Sequence, residues 1–253
     1  MKPVDEVLAQ LDRLADAQTA AILMRFFQVR PGGYGEGDTF IGIKLSVLRS
    51  VAKPYLRDPY ESDRWLPLLQ SPVHEHRQLA LVVMSERATR SRRGAGGGAE
   101  SAQIYEEYLQ HTGFVNNWDL VDLSAGPIVG GHLLSRDRAP LFRLAGSSVL
   151  WERRIAIVAS QHFLKAKDSA DLYRLAELLL HDREDLMHKA VGWSLREAGK
   201  RVDRDELRAF LDRHAATMPR TALRYAIEHF DADERQHYLG LRKARGLPHD
   251  RAV

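Results

Sequence analysis

The chain has 253 residues and no cysteine. That absence removes disulfides, thiolate nucleophiles and thiolate metal ligands together. Long apolar runs are missing too. The opening stretch MKPVDEVLAQLDRL has no signal-like hydrophobic core and reads as a helix with charges on one face, so neither export nor a membrane span is expected and a cytoplasmic location is. Nor is one sign of charge in large excess: 37 Lys and Arg face 34 Asp and Glu, a formal net charge of +3. This permits a polyanionic partner without requiring one.

Several catalytic signatures are also absent. None of the eleven histidines has a helical i, i+4 partner with a glutamate between them, and His74-Glu75-His76 does not place two ligands on one helix face. No metal and no cofactor are therefore expected. There is no Gly-x-Ser-x-Gly elbow, and Ser147-Ser148 reads as a helix cap after Gly146. Arg30 to Asp38 holds four glycines and Pro31, but no strand precedes it and no Lys-Ser/Thr follows. It is read as a connection rather than a nucleotide fingerprint.

What the sequence does contain is helix after helix. Val4, Val7, Leu8, Leu11, Leu14 and then Ala20, Ile22, Leu23, Phe26, Phe27 recur at three- and four-residue intervals, which predicts a helix pair. A short helix over Val47–Lys53 should end at Pro54, and Arg64–Gln70 with His74–Arg87 should form a further pair split by Ser71-Pro72. Ala88 to Glu100, with Arg92, Arg93 and a run of glycines, is expected to be a mobile loop whose arginines are solvated. Almost nothing elsewhere alternates with period two.

Four segments share one pattern, a basic residue followed by a small apolar helical run. They begin near Arg77, Arg153-Arg154, Lys189 and Arg220-Arg224. Each opens the second helix of a pair, and the later ones are spaced by roughly thirty to thirty-five residues, as helical repeats are. The expected fold is all-α: an α-solenoid of antiparallel helix pairs with a concave basic face, forming one domain over 1–253 with a short flexible tail from about 244. Basic side chains at stacked helix N-termini would suit phosphates, since backbone N–H groups and the helix dipole add to their charge. The alternative is that each arginine pairs with a neighbouring Asp or Glu.

The densest stretch is Asn116-Asn117-Trp118-Asp119-Leu120-Val121-Asp122. An Asn suits an N-cap and Asp119 suits the first turn. Trp118 and Asp122 then fall four apart on one helix face. One reading makes Trp118 core, Asp119 a dipole-matching charge and Asp122 a cap on a neighbouring turn. The other pairs Trp118 and Trp193 as indoles flanking the Asp122 carboxylate, a cleft for a cation. Trp193 follows Gly192, which would let a backbone or a ligand approach closely.

The chain resembles the AlkD-like DNA alkylation-repair glycosylases, which are HEAT-like repeat proteins. The resemblance rests on Tyr34-Gly35-Glu36-Gly37-Asp38 with Phe40-Ile41-Gly42-Ile43-Lys44, on Ser71 to Arg77, on Asn116 to Ser124, on Trp151 to Ala156, on His188 to Glu197 and on Met218 to Ala226. It implies that Asp122 is the catalytic aspartate, that Trp118 and Trp193 line the lesion cleft, and that Arg154 and Arg196 hold the DNA backbone. Arg153, Lys189, Arg77, Lys44, Arg220 and Arg224 complete the expected DNA-binding set. The implied substrate is double-stranded DNA containing N3- or N7-alkylated purines, acted on by a monomer near the nucleoid. The implied products are a free base and an abasic site. A non-catalytic DNA-binding repeat protein and a protein-interaction scaffold are the alternatives. Ser46, near which many members carry proline, and the glycine-rich insert around Gly96 depart from the pattern.

Overall fold

The structure is a computed structural model that describes residues 4–94 and 98–244. Beyond Ala244, the expected C-terminal tail lies outside the described residues, as do 95–97 of the glycine run. Among the described residues the chain is all-α, with successive helices in pairs; the sole β feature is an isolated bridge between Thr39 and Val73. No helix among them is long and apolar enough to cross a membrane.

The chain forms two compact units, Met1–His132 and Leu133–Val253. The first begins with α1 (Val4–Leu14) and α2 (Ala17–Phe26). Asp16 caps α2 by accepting a 2.7 Å hydrogen bond from the Thr19 N–H. After the glycine loop come α3 (Leu45–Ala52), a 3-10 turn over Lys53–Leu56, α4 (Ser62–Leu69), α5 (His74–Arg93), α6 (Ala99–Gln110) and α7 (Trp118–Ala125). As expected, α3 ends before Pro54, which sits in the first turn of that 3-10 segment, where its missing N–H is harmless. Helix α5 is the axis of this unit and packs against α3, α4, α6 and α7. Leu79, Ala80, Leu81, Val82, Val83 and Met84 are buried one after another, so every face of the middle of the helix is covered, as a central helix requires.

The expected mobile loop from Ala88 is mostly helix, because α5 continues to Arg93. Its arginines are not all solvated. Arg92 donates to the Pro127 carbonyl at 2.7 Å and to the Ser101 hydroxyl at 2.8 Å, while Arg93 is exposed. Arg87 forms a forked pair with Glu100 and donates to the Leu56 carbonyl. Local composition favoured a loop, but these long-range acceptors extend the helix. Pro127 lies in a π-helical turn, Gly126–Gly130, that follows α7 directly. Arg92 satisfies a carbonyl of that turn and occupies the space a Cβ on Gly131 would need.

Helix α8 (Gly131–Leu133) spans the boundary between the units. The second unit then runs through α9 (Ala139–Ala145), α10 (Leu150–Ser160), a 3-10 segment, α11 (Ala170–Leu179), α12 (Asp185–Arg201), α13 (Arg204–His214), α14 (Arg220–Ala226) and α15 (Ala232–Ala244). Helix α12 is its axis, packing on α10, α11, α13 and α14. The four basic segments singled out from sequence do lie in second helices: α5, α10, α12 and α14 follow α4, α9, α11 and α13. Gly192 is taken up by this packing. A Cβ there would lie 2.4 Å from the Ala222 carbonyl oxygen, so α14 fills the space a ligand would need.

Candidate functional site

In the first unit, α7 begins as expected. Asn117 is its N-cap and its side-chain oxygen accepts from the Trp118 N–H at 2.8 Å. Trp118 and Asp122 sit one turn apart on α7 and both are half-buried. The Trp118 ring stacks on Phe27 at 5.3 Å, meets Phe26 edge-on at 5.9 Å, and donates its indole N–H to the Tyr34 hydroxyl at 3.3 Å. Tyr34 in turn donates to the Phe26 carbonyl. Trp118 is therefore held by an aromatic cluster and keeps part of its surface open. Asp122 acts on Tyr108 of α6: burial raises the phenol pKa, and the Asp122 charge adds to the effect.

Asp119 has more to do than match a dipole. One carboxylate oxygen accepts from the Leu120 N–H; the other accepts from His74 Nε2 at 2.8 Å and from Gln78 Nε2 at 2.8 Å. The other ring nitrogen of His74 meets Asp38 at 2.9 Å. Asp38 also takes the Arg77 guanidinium, which donates at 2.9 Å to the Ser71 carbonyl as well. His74, Arg77 and Asp38 are all buried. Burial pulls the His74 pKa down, but the hydrogen bonds of Asp119 and Asp38 and their charges outweigh it and raise the pKa to about 8. For Asp38 burial likewise opposes the outcome; the His74 hydrogen bond and the Arg77 charge hold its pKa below the ordinary carboxylate value.

The neighbouring Glu75 is also buried, and its carboxylate accepts from the Ile41, Gly42 and Ile43 N–H groups at 3.1, 2.8 and 3.2 Å. Gly42 has φ +85, and a Cβ there would lie 2.0 Å from the Asp16 carbonyl oxygen. Two of the segments that carried the resemblance, 34–44 and 71–77, are thus fastened to each other side chain by side chain. Sequence reasoning missed Asp38, His74 and Asp119 as a set. Their only signal was membership of those segments, since partners 36 and 45 residues apart leave no periodicity to read. Lys44 is exposed at the start of α3.

In the second unit, the expected basic residues gather at the starts of α10, α12 and α14, and those starts are linked. Arg154, buried in α10, donates to the Leu186 carbonyl of α12 at 2.7 Å. Asp185 in the same turn of α12 accepts from Thr221 of α14 at 2.9 Å and pairs with Lys189 at 2.7 Å. Burial would raise the Asp185 pKa, but the Lys189 and Thr221 hydrogen bonds lower it. The stacking register read from sequence is therefore real within this unit.

The pairing alternative also holds for much of the set. Arg153 forks onto Asp182 at 2.6 and 3.1 Å and donates to the Ser147 and Ser148 carbonyls. Arg196 pairs with Glu228 and Glu197, and Arg220 donates to the Leu239 carbonyl. Arg77 belongs to the Asp38 cluster. Lys189 is half-exposed and Arg224 is exposed, so both present charge to solvent. Trp193, on α12, is half-buried. Among the described residues, no group of three or more His, Asp or Glu is arranged to hold a metal ion.

Fold and site together define an all-α helical-repeat protein with basic helix N-termini and a tryptophan–aspartate pair one turn apart. The chain belongs to the family of DNA alkylation repair enzymes, whose family model matches residues 7–230. Among solved structures it is similar to one described as "Predicted DNA alkylation repair enzyme from Enterococcus faecalis", with 17% sequence identity, a TM-score of 0.63, and coverage of 86% of this chain and 97% of that one. At that identity the likeness speaks to the fold. A search of curated proteins gives no match.

Proposed function

We propose that the chain is a monofunctional DNA glycosylase that hydrolyses the N-glycosidic bond of N3- or N7-alkylated purines in duplex DNA. The observation that carries this reading is the half-buried pair Trp118 and Asp122, one turn apart on α7, in a chain of the DNA alkylation repair family. Alkylation makes the purine cationic, so the base leaves without being protonated. As the bond breaks, its electron pair neutralises the base and positive charge develops on the deoxyribose. The Asp122 carboxylate stabilises that charge and orients the attacking water, whose oxygen bonds to C1′ and whose proton is released. The Trp118 indole adds a cation–π contact to the same charge. No lysine is assigned a Schiff-base role, so the product is an abasic site.

In the second unit, Trp193, Arg154, Lys189, Arg196, Arg220 and Arg224 are assigned to contacts with the DNA. Lys44 has that role in the first unit. Arg77 and Arg153 are better placed to hold the helices that carry these contacts, because their guanidinium groups are buried on carboxylates. The protein acts as a monomer in the cytoplasm at the nucleoid and uses neither metal nor cofactor.

The test is release of 7-methylguanine and 3-methyladenine from methylated duplex DNA, with DNA binding measured in parallel. Asp122→Asn is expected to lower the release rate on the order of 100-fold or more while binding persists. No release by the wild type, with salt-sensitive DNA binding, would identify a non-catalytic DNA-binding repeat protein. Absence of DNA binding altogether would leave the protein-interaction scaffold.

A further inference from the structure

The cluster of Asp38, His74, Arg77 and Asp119 is not used by the chemistry proposed above, yet it is built at the first turn of the helix that carries Trp118 and Asp122. We propose that His74 is a positioning residue for the repair site: through Asp119 it fastens the start of α7, and so sets where Trp118 and Asp122 stand. The proposal rests on the glycosylase reading of those two residues.

Three observations support it. First, His74 joins the glycine loop to the first turn of α7: its two ring nitrogens lie 2.9 Å from Asp38 and 2.8 Å from Asp119. Second, a further set of contacts reaches the same place. The His74 ring stacks on Phe40 at 4.4 Å, Phe40 on Phe27 at 5.1 Å, and Phe27 on Trp118 at 5.3 Å. Third, buried His74 and Arg77 on α5 hold carboxylates from two other elements, Asp38 of the glycine loop and Asp119 of α7, so the cluster fixes three elements against one another.

Histidine brings a condition that lysine or glutamine would not. Two ionised carboxylates can only accept hydrogen bonds, so both contacts are made only while both ring nitrogens carry hydrogen. Once the ring loses a proton, one of Asp38 and Asp119 faces a lone pair. The groups facing His74 are Asp38 from the glycine loop and Asp119 from α7. Arg77, on its own helix, neutralises Asp38. Glu75 is engaged with the Ile41 to Ile43 amides and His76 with Ser71, so neither replaces the lost donor; Gln78 goes on donating to Asp119, so what is lost is the tie from the glycine loop through His74. Above the pH at which His74 deprotonates, the start of α7 loosens.

The experiment follows single-turnover release of 7-methylguanine from methylated duplex DNA between pH 6 and 9.5, with Kd measured over the same range. Intrinsic fluorescence is recorded for the wild type and for Trp118→Phe, and the difference isolates Trp118. The wild-type rate is expected to fall on the order of tenfold or more above pH ~8, with Kd changed far less and Trp118 emission shifting in step. In His74→Gln the rate is lower, and both the alkaline fall and the emission shift are gone. An alkaline profile and Trp118 emission that are the same in His74→Gln as in the wild type overturn the proposal. If His74→Gln does not fold, the wild-type titration decides by itself: Trp118 emission constant from pH 6.5 to 9 overturns the positioning role. Full release by Asp122→Asn removes the catalytic role of Asp122, and no release by the wild type defeats the glycosylase reading; in both cases the Trp118 titration still judges His74.

Discussion

His74 and Asp119 are joined by a 2.8 Å hydrogen bond that ties the first turn of α5 to the first turn of α7. Its energetic consequence has a definite sign. His74 has a folded pKa of about 8 against an ordinary 6.5, so its contribution to stability is complete below pH 6.5 and is lost as pH rises through 8. The shift corresponds to about 2 kcal/mol. Thermal melts are expected to show a lower Tm at pH 9 than at pH 6.5, with the difference much reduced in His74→Asn. Equal slopes in both proteins would contradict this. Asp38 acts at the other end of the scale. Its pKa is lowered on folding, so its contribution is present above the ordinary value of 3.8 and disappears on acidification through the lower folded value.

Glu75 is the partner of three consecutive backbone N–H groups. Replacing it with Ala leaves those donors in a poorly hydrated place, so Glu75→Ala is expected to destabilise by about 3 kcal/mol, with Glu75→Gln milder because one amide oxygen can still accept. Urea unfolding of the two variants checks both the size and the order. A variant series in which Gln is the worse of the two would rule out this account.

Gly192 and Gly42 are required for different reasons. At Gly192 a methyl would meet the Ala222 carbonyl oxygen at 2.4 Å, and at Gly42 the left-handed backbone adds to a clash with the Asp16 carbonyl oxygen. Gly192→Ala is expected to lose about 1–3 kcal/mol by forcing α12 and α14 apart, and Gly42→Ala at least as much. Both losses should appear in chemical denaturation. Unchanged midpoints would show that the helices can separate freely.

Arg153 and Arg224 share a sequence pattern but not a role. Arg153 is buried in a forked pair with Asp182, and removing it strands that carboxylate. Arg153→Ala is therefore expected to destabilise by roughly 3–5 kcal/mol. Arg224 is exposed; Arg224→Ala should leave Tm nearly unchanged and reduce the slope of log Kd against log salt for duplex DNA by about 1. Melting curves and a salt titration on both variants separate the two roles, and a reversed pattern would show that burial is the wrong guide.

Much of the fold is legible along the chain because helices leave a local record. The three- and four-residue spacing of Val4, Val7, Leu11 and Leu14 needs no partner to be read, and the repeated basic starts at Arg77, Arg154, Lys189 and Arg220 mark second helices because stacked repeats reuse one local pattern. A cap at one of the two asparagines, Asn116 or Asn117, follows from their side-chain chemistry, and the proximity of Trp118 to Asp122 from the helix period; the structure selects Asn117. The stretch after Ala88 went the other way. Its glycines and arginines look like a loop, but Arg87 and Arg92 find acceptors on other elements and α5 continues to Arg93.

By itself, the sequence determined that the protein is all-α, that its helices pair in repeats, and which helix carries the tryptophan–aspartate pair, because helix formation and capping depend on neighbours within a few residues. Only the tertiary structure decided which basic side chains are bound to carboxylates, that Gly192 serves helix packing, and that Asp38, His74 and Asp119 form one buried unit. Those outcomes depend on groups tens of residues apart being brought within 3 Å, and on burial making an ion pair or a lost proton matter. Neither distance nor burial is recorded in local order.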